Sequence, residues 1–245
     1  MRIEKNGITL TDEITVRLID KMGGDHSVVA AAKVSTCGED ALEFARIEAG
    51  EGNKGLIRFL MEKRHGTPFE ATVLQFFIHA PIFVWREFHR HRIASYNEES
   101  ARYKRLEPVF WIPRKDRKLI PVPGFKPSAP EFEVGSADNL EFVVSNLFWS
   151  YALAYQTYLN ILDTNCAKEV ARACLPVGIY SSCWVTMNAR SLMNFLSLRV
   201  HEPTATFPSF PQAEIEQVAR AIETIFAAGW PITHAAFVKH GRVAP

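Results

Sequence analysis

Cysteine is scarce in this 245-residue chain, and so is net charge. The four cysteines, Cys37, Cys166, Cys174 and Cys183, form no Cys-x-x-Cys pair, which argues against a zinc ribbon. In a long chain with no recognisable signal segment they are expected to be reduced thiols, mostly in the core of a cytoplasmic protein. Lysine plus arginine number 28 and aspartate plus glutamate 27, a balance that disfavours a general nucleic-acid or membrane-surface protein. Long apolar runs are missing too. The longest, Ala71 to Trp85, is interrupted by Gln75, His79 and Pro81 and is too short to span a bilayer. No Gly-x-Gly-x-x-Gly follows a strand-like segment, so a dinucleotide would not be held in the doubly wound manner. No His-x-x-x-His occurs, and no metal is expected. Repeats and low-complexity linkers are absent, and 47% of residues are hydrophobic; a single domain over residues 1–245 is expected.

Periodicity outlines the elements. Ile14 to Ile19 alternates like a strand, and Asp25 is placed to cap a helix running through Val28, Ala31 and Ala32 towards Ser35. Ala41 to Ala49 and Gly55 to Lys63 have helical spacing, the latter with Leu56, Phe59 and Leu60 on one face; His65-Gly66-Thr67-Pro68 stops it. Phe69 to His79 reads as a strand, and Pro81 opens a helix from Ile82 to about His91, with Arg86 and Arg90 on one face. Glu107 to Pro130 is a proline-rich excursion. Ser136 to Asp163 is a long helix with Phe142, Leu147, Tyr151, Leu153 and Tyr158 among its apolar residues. Ala167 to Leu175 is a short helix ended by Pro176, Ile179 to Met187 a strand, Ala189 to Val200 a helix, His201 to Pro211 a loop and Gln212 to Ala228 a terminal helix. Strands and helices mix without regular βαβ alternation, so the class is α/β of the α+β type.

Chemistry concentrates in one stretch, Phe88-His89-Arg90-His91-Arg92-Ile93-Ala94-Ser95-Tyr96-Asn97-Glu98-Glu99-Ser100-Ala101-Arg102-Tyr103. Around it Arg86, Arg90, Arg92, Arg102, Lys104 and Arg105 outnumber Glu87, Glu98 and Glu99. A basic patch in a neutral protein reads as a site for a small anion. Arg90, Arg92 and Arg102 each offer a planar fork of donors to phosphate. Ser95, Asn97 and Ser100 add short polar contacts, and Glu98 can accept from a sugar hydroxyl or a base N–H. The segment suits a phosphorylated, hydroxyl-rich small molecule.

The spacing Arg90-His91-Arg92-x-x-Ser95-x-Asn97-x-x-Ser100-x-Arg102 resembles the signature of the flavin-dependent thymidylate synthases. The likeness extends from about Ser35 to the terminal helix. His65-Gly66-Thr67-Pro68-Phe69-Glu70 is similar to the family's flavin-contacting His-x-Thr-Pro-Phe-Glu element, although alone it would read as a helix C-cap. Ser35 is similar to a family serine at the FAD. Arg90, His91 and Arg92 resemble residues that hold the flavin's phosphates and adenine side, with Glu98 nearby. Asn188, Arg190 and Asn194 resemble further flavin contacts on a helix whose buried stripe is Leu192, Phe195 and Leu196. Glu87, where the family commonly has Gln, Arg90 and the run Glu98, Glu99, Ser100, Ala101 and Arg102 resemble the uridylate-binding set; Ala101 replaces a common glycine. Arg172, in Ala171-Arg172-Ala173-Cys174-Leu175-Pro176, resembles the arginine that binds dUMP phosphate. Arg199 resembles the catalytic arginine beside the pyrimidine, whose charge stabilises an N3-deprotonated uracil. The family's His-Ala-x-x-Glu-Ile run is displaced here by His201 to Pro211, and His201 is given no role.

The resemblance implies an antiparallel sheet flanked by helices and a homotetramer with active sites between subunits. It also implies reductive methylation of dUMP to dTMP. There 5,10-methylenetetrahydrofolate is the one-carbon donor, NADPH-reduced FAD supplies hydride, and no cysteine acts as nucleophile. Read from the residues alone, two other classes stay open. A binding-only nucleotide protein would need no flavin, and a zinc hydrolase would use His65, His89 and His91.

Overall fold

The computed structural model describes residues 1–47, 51–124, 126 and 130–245. In chain order the elements are β1 (Arg2–Lys5), β2 (Ile8–Thr11), β3 (Thr15–Met22), α1 (Asp25–Cys37), α2 (Ala41–Ile47), α3 (Glu51–Glu62), α4 (Thr67–Glu70), β4 (Val73–Pro81) and α5 (Ile82–Phe88). Then come β5 (Ser95–Glu98), β6 (Val109–Trp111), β7 (Lys118–Pro121), β8 (Phe132–Val134), α6 (Ala137–Asp163), α7 (Lys168–Ala171), β9 (Tyr180–Asn188), α8 (Ala189–Arg199), α9 (Ala213–Gly229) and α10 (Pro231–Lys239). The mixed α/β class is as expected. One sheet has the order β1-β2-β6, a second β3-β4-β9-β5, and β7 pairs with β8. β1/β2 and β7/β8 are antiparallel, but β2 and β6 run parallel, Leu10 opposite Phe110. A parallel pair needs a long connection, and here the chain between the two strands supplies it.

The chain divides into two compact units. The first holds Met1–Thr15, Ile78–His89 and Asn97–Cys183; the second holds Val16–Phe77, Arg90–Tyr96 and Trp184–Pro245. The first is built on Ile8, Leu10, Phe110, Ile112, Phe148, Tyr151, Tyr155 and Tyr158. Ser136 caps α6 through a reciprocal box with Asn139. The face that α6 buries is Phe148, Tyr151, Tyr155 and Tyr158, whereas Phe142 and Leu153, expected among its apolar residues, are each 71% exposed. The second unit buries Leu192, Phe195 and Leu196 of α8, as expected, together with Ile215, Val218, Ile222 and Phe226 of α9.

Several expected boundaries move. The helix expected to Ala49 is traced to Ile47; Glu48 and Ala49 lie outside the described residues, as do Phe125, Pro127, Ser128 and Ala129 of the proline-rich excursion. In α3 the buried line is Asn53, Ile57, Leu60 and Met61, and Phe59 is exposed. Two residues past that helix, Arg64 has φ 60°, with His65 N bonded to Leu60 O at 2.9 Å and Arg64 N to Met61 O at 3.3 Å. This is a Schellman ending built on arginine instead of glycine. Thr67-Pro68-Phe69-Glu70 then forms α4, so the strand expected from Phe69 starts at Val73. α5 ends at Phe88, which leaves Arg90 beyond the helix that was expected to carry it beside Arg86. Asp25 does not cap its own helix. Its carboxylate accepts from Ile232 N at 2.8 Å and Thr233 N at 2.9 Å, so it caps α10, an element that sequence periodicity missed.

Candidate functional site

The first unit carries a pocket of about 290 Å³ lined by Ile82, Glu98, Glu99, Ser100, Ala101, Leu106, Arg172, Leu175, Ile179 and Ser181. It sits just below the size usual for small-molecule sites, roughly 300–1,000 Å³. Its apolar side is rooted in the core through Leu106 and Ile179. The start of α5 is sewn to it by Ile82 N→Ile179 O at 2.9 Å and Phe83 N→Val177 O at 3.1 Å. Its polar side is the turn after β5. Tyr103 N and Lys104 N both donate to Ser100 O, at 3.0 and 3.2 Å, and Arg102 N donates to Ser100 Oγ at 3.3 Å. Ala101 is buried in the core cluster and is not among the residues of positive φ, so the turn does not need the glycine that the resemblance would put there.

Arg172 reaches the same pocket from a single 3-10 turn that follows α7. Ala171 is fully buried beneath it, and Leu175 N closes the turn on Arg172 O at 3.0 Å. Glu169, three residues before Arg172, pairs with Arg102, whose Nε donates to Glu169 Oε2 at 2.9 Å. Lys168 Nζ also donates to Tyr103 O at 3.3 Å. These two contacts tie the arginine-bearing segments to each other, and Glu169 offsets part of the Arg102 charge. Glu98 and Glu99 add acid to the pocket lining. Glu99 is already engaged: Oε1 accepts from Ser182 N at 3.0 Å and Oε2 from Lys104 Nζ at 2.9 Å. Glu87 lies on α5, partly buried.

The residues likened to flavin contacts, apart from Glu98, fall in the second unit. His65 and Thr67 are exposed at the turn into α4, and His65 meets Phe59 edge-on at 5.8 Å. Gly66, between them, has an ordinary φ of −75°, so conformation does not require glycine; space does. A Cβ there would lie 2.6 Å from Arg190 Cζ and 2.8 Å from Pro245 O. Arg190 Nη1 pairs with Glu70 Oε1 at 2.6 Å and Nε donates to Pro245 O at 2.6 Å. Asn188 caps α8 by accepting from Ser191 N at 2.8 Å, and Asn194 stands exposed on the same helix. Arg90 and Arg92 are exposed, and Ser35 is exposed at the end of α1 with Oγ on Ala32 O.

At the far end of α8, Arg199 Nε donates to His91 Nε2 at 3.1 Å. That contact makes His91 an acceptor and places its proton on Nδ1. Burial, seconded by the Arg199 charge, pushes the His91 pKa down to about 4, so the ring is neutral at physiological pH. Phe195 meets the ring edge-on at 4.8 Å and Tyr96 OH bonds His91 O at 2.8 Å. Sequence reasoning named both residues but not their pairing. It also missed the pocket's Leu106, Leu175, Ile179 and Ser181, which read as ordinary core positions. A flavin's diphosphate and ring edges need fixed N–H donors and a close backbone approach. The arginines, asparagines and the crowded Gly66 turn fit such a group. His201, left without a role, anchors its loop through Ser209 O at 2.6 Å.

Cys183 is fully buried, but Cys37, Cys166 and Cys174 are only partly so, against the expectation of thiols mostly in the core; none of the four is in a disulfide. Among the described residues no helix is long and apolar enough to cross a membrane, and no three His, Cys, Asp or Glu gather as a metal set.

Residues 17–232 match the Thy1 family, thymidylate synthase complementing protein. The flavin-dependent thymidylate synthase of Streptomyces coelicolor is 49% identical over 239 residues, 97% of this chain and 96% of that one. That of Tropheryma whipplei is 49% identical over 235 residues, 95% of each chain. A crystal structure of the UMP/dUMP methylase PolB from Streptomyces cacaoi bound with 5-Br UMP superposes with a TM-score of 0.89 at 43% identity, covering 98% of this chain and all of that one. With 5-Br dUMP bound, PolB gives 0.89 at 45% identity over 96% and 99% of the two chains. The chain belongs to the flavin-dependent thymidylate synthase family.

Proposed function

We propose that this chain catalyses the flavin-dependent methylation of dUMP to dTMP. The observation that carries this reading is the pocket that gathers Glu98, Ser100, Ala101 and Arg172 over an apolar floor. These residues stand 74 or fewer positions apart in sequence and, in the resemblance, all serve uridylate. Arg172 and Arg102 take the phosphate by charge-assisted bonds. Ile82, Leu106, Leu175 and Ile179 exclude water from the sugar and base, and Glu98 accepts from a hydroxyl or ring N–H. Arg199, its guanidinium plane set by His91, brings a permanent charge to the uracil and stabilises the anion that activates C5. Arg90 serves both ligands.

His65, Thr67, Arg90, His91, Arg92, Glu98, Asn188, Arg190 and Asn194, with Ser35, are the residues proposed to hold FAD. When bound and reduced by NADPH, it supplies the hydride that completes the methyl group delivered by 5,10-methylenetetrahydrofolate. The active form is taken as a cytoplasmic homotetramer with its sites formed between subunits, in which one domain spans residues 1–245. Exposed apolar residues on α6 (Phe142, Trp149, Leu153) and β3 (Leu18, Ile19, Met22) support such assembly, and light scattering of the FAD-bound protein tests it. A reconstituted turnover assay with dUMP, 5,10-methylenetetrahydrofolate, FAD and NADPH tests the reaction. Folded, FAD-bound protein that forms no dTMP would overturn it. Because PolB is seen with both 5-Br UMP and 5-Br dUMP, the same assay with UMP measures discrimination at the 2′ position.

A further inference from the structure

We propose that His79 is a positioning residue for the nucleotide, acting through Ser182 and Glu99 on the turn that begins at Ser100. The proposal rests on the uridylate reading of that pocket. His79 lies near the end of β4, half-buried, with its ring 4.9 Å from that of Tyr180. Tyr180 is itself held by its hydroxyl on Thr11 O at 3.2 Å. Nδ1 of His79 is 3.0 Å from Ser182 Oγ.

Ser182 is also the residue that grips Glu99 on both sides. Glu99 N donates to Ser182 O at 2.8 Å, and Ser182 N donates to Glu99 Oε1 at 3.0 Å. The second carboxylate oxygen takes Lys104 Nζ at 2.9 Å. Lys104 lies at the far end of the turn whose amides converge on Ser100 O. The carboxylate of Glu99 therefore fastens both ends of the turn: one to β9, the other to its own Lys104. Ser100, Ala101 and Arg102 lie between these anchors. His79 restrains the strand side of the latch by fixing the Ser182 side chain, the only part of that residue not committed to Glu99.

Electrostatics point the same way. Burial holds the His79 ring below its ordinary pKa, with opposed effects from the Glu99 and Lys104 charges, so the three groups sense one another. A neutral ring satisfies the serine hydroxyl without adding a third charge to the Glu99–Lys104 pair. Neither the histidine nor Ser182 belongs to the motif that suggested the pocket, and the two are 103 residues apart in sequence.

A double-mutant cycle on dUMP affinity, measured by calorimetry on the FAD-bound protein, tests the proposal. His79→Ala is expected to raise the dUMP Kd by about five- to tenfold, the range for one buried hydrogen bond. FAD affinity should stay within twofold. His79→Asn, which keeps a polar atom near the Nδ1 position, should recover most of the loss. In a Glu99→Ala background the same His79→Ala change should alter Kd by less than twofold, because the path runs through Glu99. Ser182→Ala gives a second route to the same answer should Glu99→Ala fold poorly: His79→Ala should be silent there too. An unchanged dUMP Kd in His79→Ala, or a full additive loss in either background, overturns the proposal. Wild-type protein that binds FAD but not dUMP overturns the uridylate reading itself, and the proposal with it.

Discussion

Arg172→Ala is the substitution that tests the nucleotide pocket most directly. The side chain lines the pocket of about 290 Å³ from a turn whose backbone is fixed independently of the guanidinium, by the buried Ala171 and the Leu175 N→Arg172 O bond of 3.0 Å. Truncation should therefore leave the fold intact and remove only the charged fork. A charge-assisted hydrogen bond contributes about 1.5–3 kcal/mol. Arg172 is exposed, so solvent and salt screen it, and the lower part of that range applies: about 1.5–2 kcal/mol, or roughly a 10- to 30-fold rise in dUMP Kd. Arg102→Ala should cost less. Its Nε is already given to Glu169 at 2.9 Å, and an exposed pair of that kind offsets at most about 1 kcal/mol. Glu169→Gln should act in the opposite sense, tightening dUMP by roughly two- to threefold, because a carboxylate beside the phosphate is removed while the arginine stays. Titration calorimetry at two salt concentrations resolves the order, and the Arg172 effect should shrink at high salt. Arg172→Ala binding dUMP within twofold of wild type would falsify the phosphate assignment. Equal losses of dUMP and FAD would instead reveal damage to the fold.

Cys183→Ala, like single replacement of Cys37, Cys166 or Cys174, should retain measurable turnover, because burial and then the Glu98 charge push the Cys183 pKa up to about 12 and leave no thiolate to attack; a folded, flavin-bound Cys183→Ala protein without activity contradicts this. Glu223 should dominate acid sensitivity. Burial raises its pKa, but bonds to His234 and to Arg242, the latter at 2.7 Å, overcome that and hold it at about 2, so its contribution of about 3 kcal/mol is present above pH 4.5 and is lost as pH falls from 4.5 towards 2. Urea unfolding of Glu223→Gln at pH 7 should show a loss of about 3–5 kcal/mol from the stranded Arg242, with a flatter pH dependence below 4.5; a loss under 1 kcal/mol at pH 7 excludes the pair as a major restraint. Arg199→Ala should keep FAD, lose most turnover, and let the His91 pKa rise from about 4, a change that NMR titration of the ring reads directly; an active Arg199→Ala enzyme removes that arginine from the chemistry.

What the sequence made legible was mostly local. Ser136 announced α6, the Leu192, Phe195 and Leu196 spacing announced the buried side of α8, and the motif residues from Glu98 to Ala101 do line one pocket together with Arg172. What it hid depended on distant partners. The caps of α10 come from Asp25, 207 residues away from Ile232, and nothing near Asp25 distinguishes that role from capping its own helix. The strand β6 is three residues long and exists because it pairs with β2, so no alternation pattern reveals it. In α6 large apolar residues occur on more than one side, so periodicity alone could not say that Phe148 and Tyr155 face inward while Phe142 and Leu153 face out. Arg64, two residues past α3, adopts a left-handed conformation that sequence rules reserve for glycine.

The division of the motif residues has a consequence for how mutants should be read. Glu87, Glu98, Glu99, Ser100, Ala101, Arg102 and Arg172 belong to the first unit, whereas Ser35, His65, Thr67, Arg90, His91, Arg92, Asn188, Arg190, Asn194 and Arg199 belong to the second. The sorting nearly coincides with the sorting by ligand. Three residues cross it: Glu98, likened to both sets, and Arg90 and Arg199, likened to uridylate contacts but held among the flavin set. Substitutions at Arg172 or Ser100 should therefore register on dUMP alone, and those at Arg190 or Thr67 on FAD alone. Changes at Glu98 and Arg90 should register on both. Arg199 differs again, because its fixed neighbour is the neutral His91. A permanent cation beside a ring that cannot share its charge loses little of its field to screening by that partner. Such a cation is suited to stabilising negative charge that appears only as the pyrimidine reacts, so its removal should fall on turnover before it falls on either binding constant.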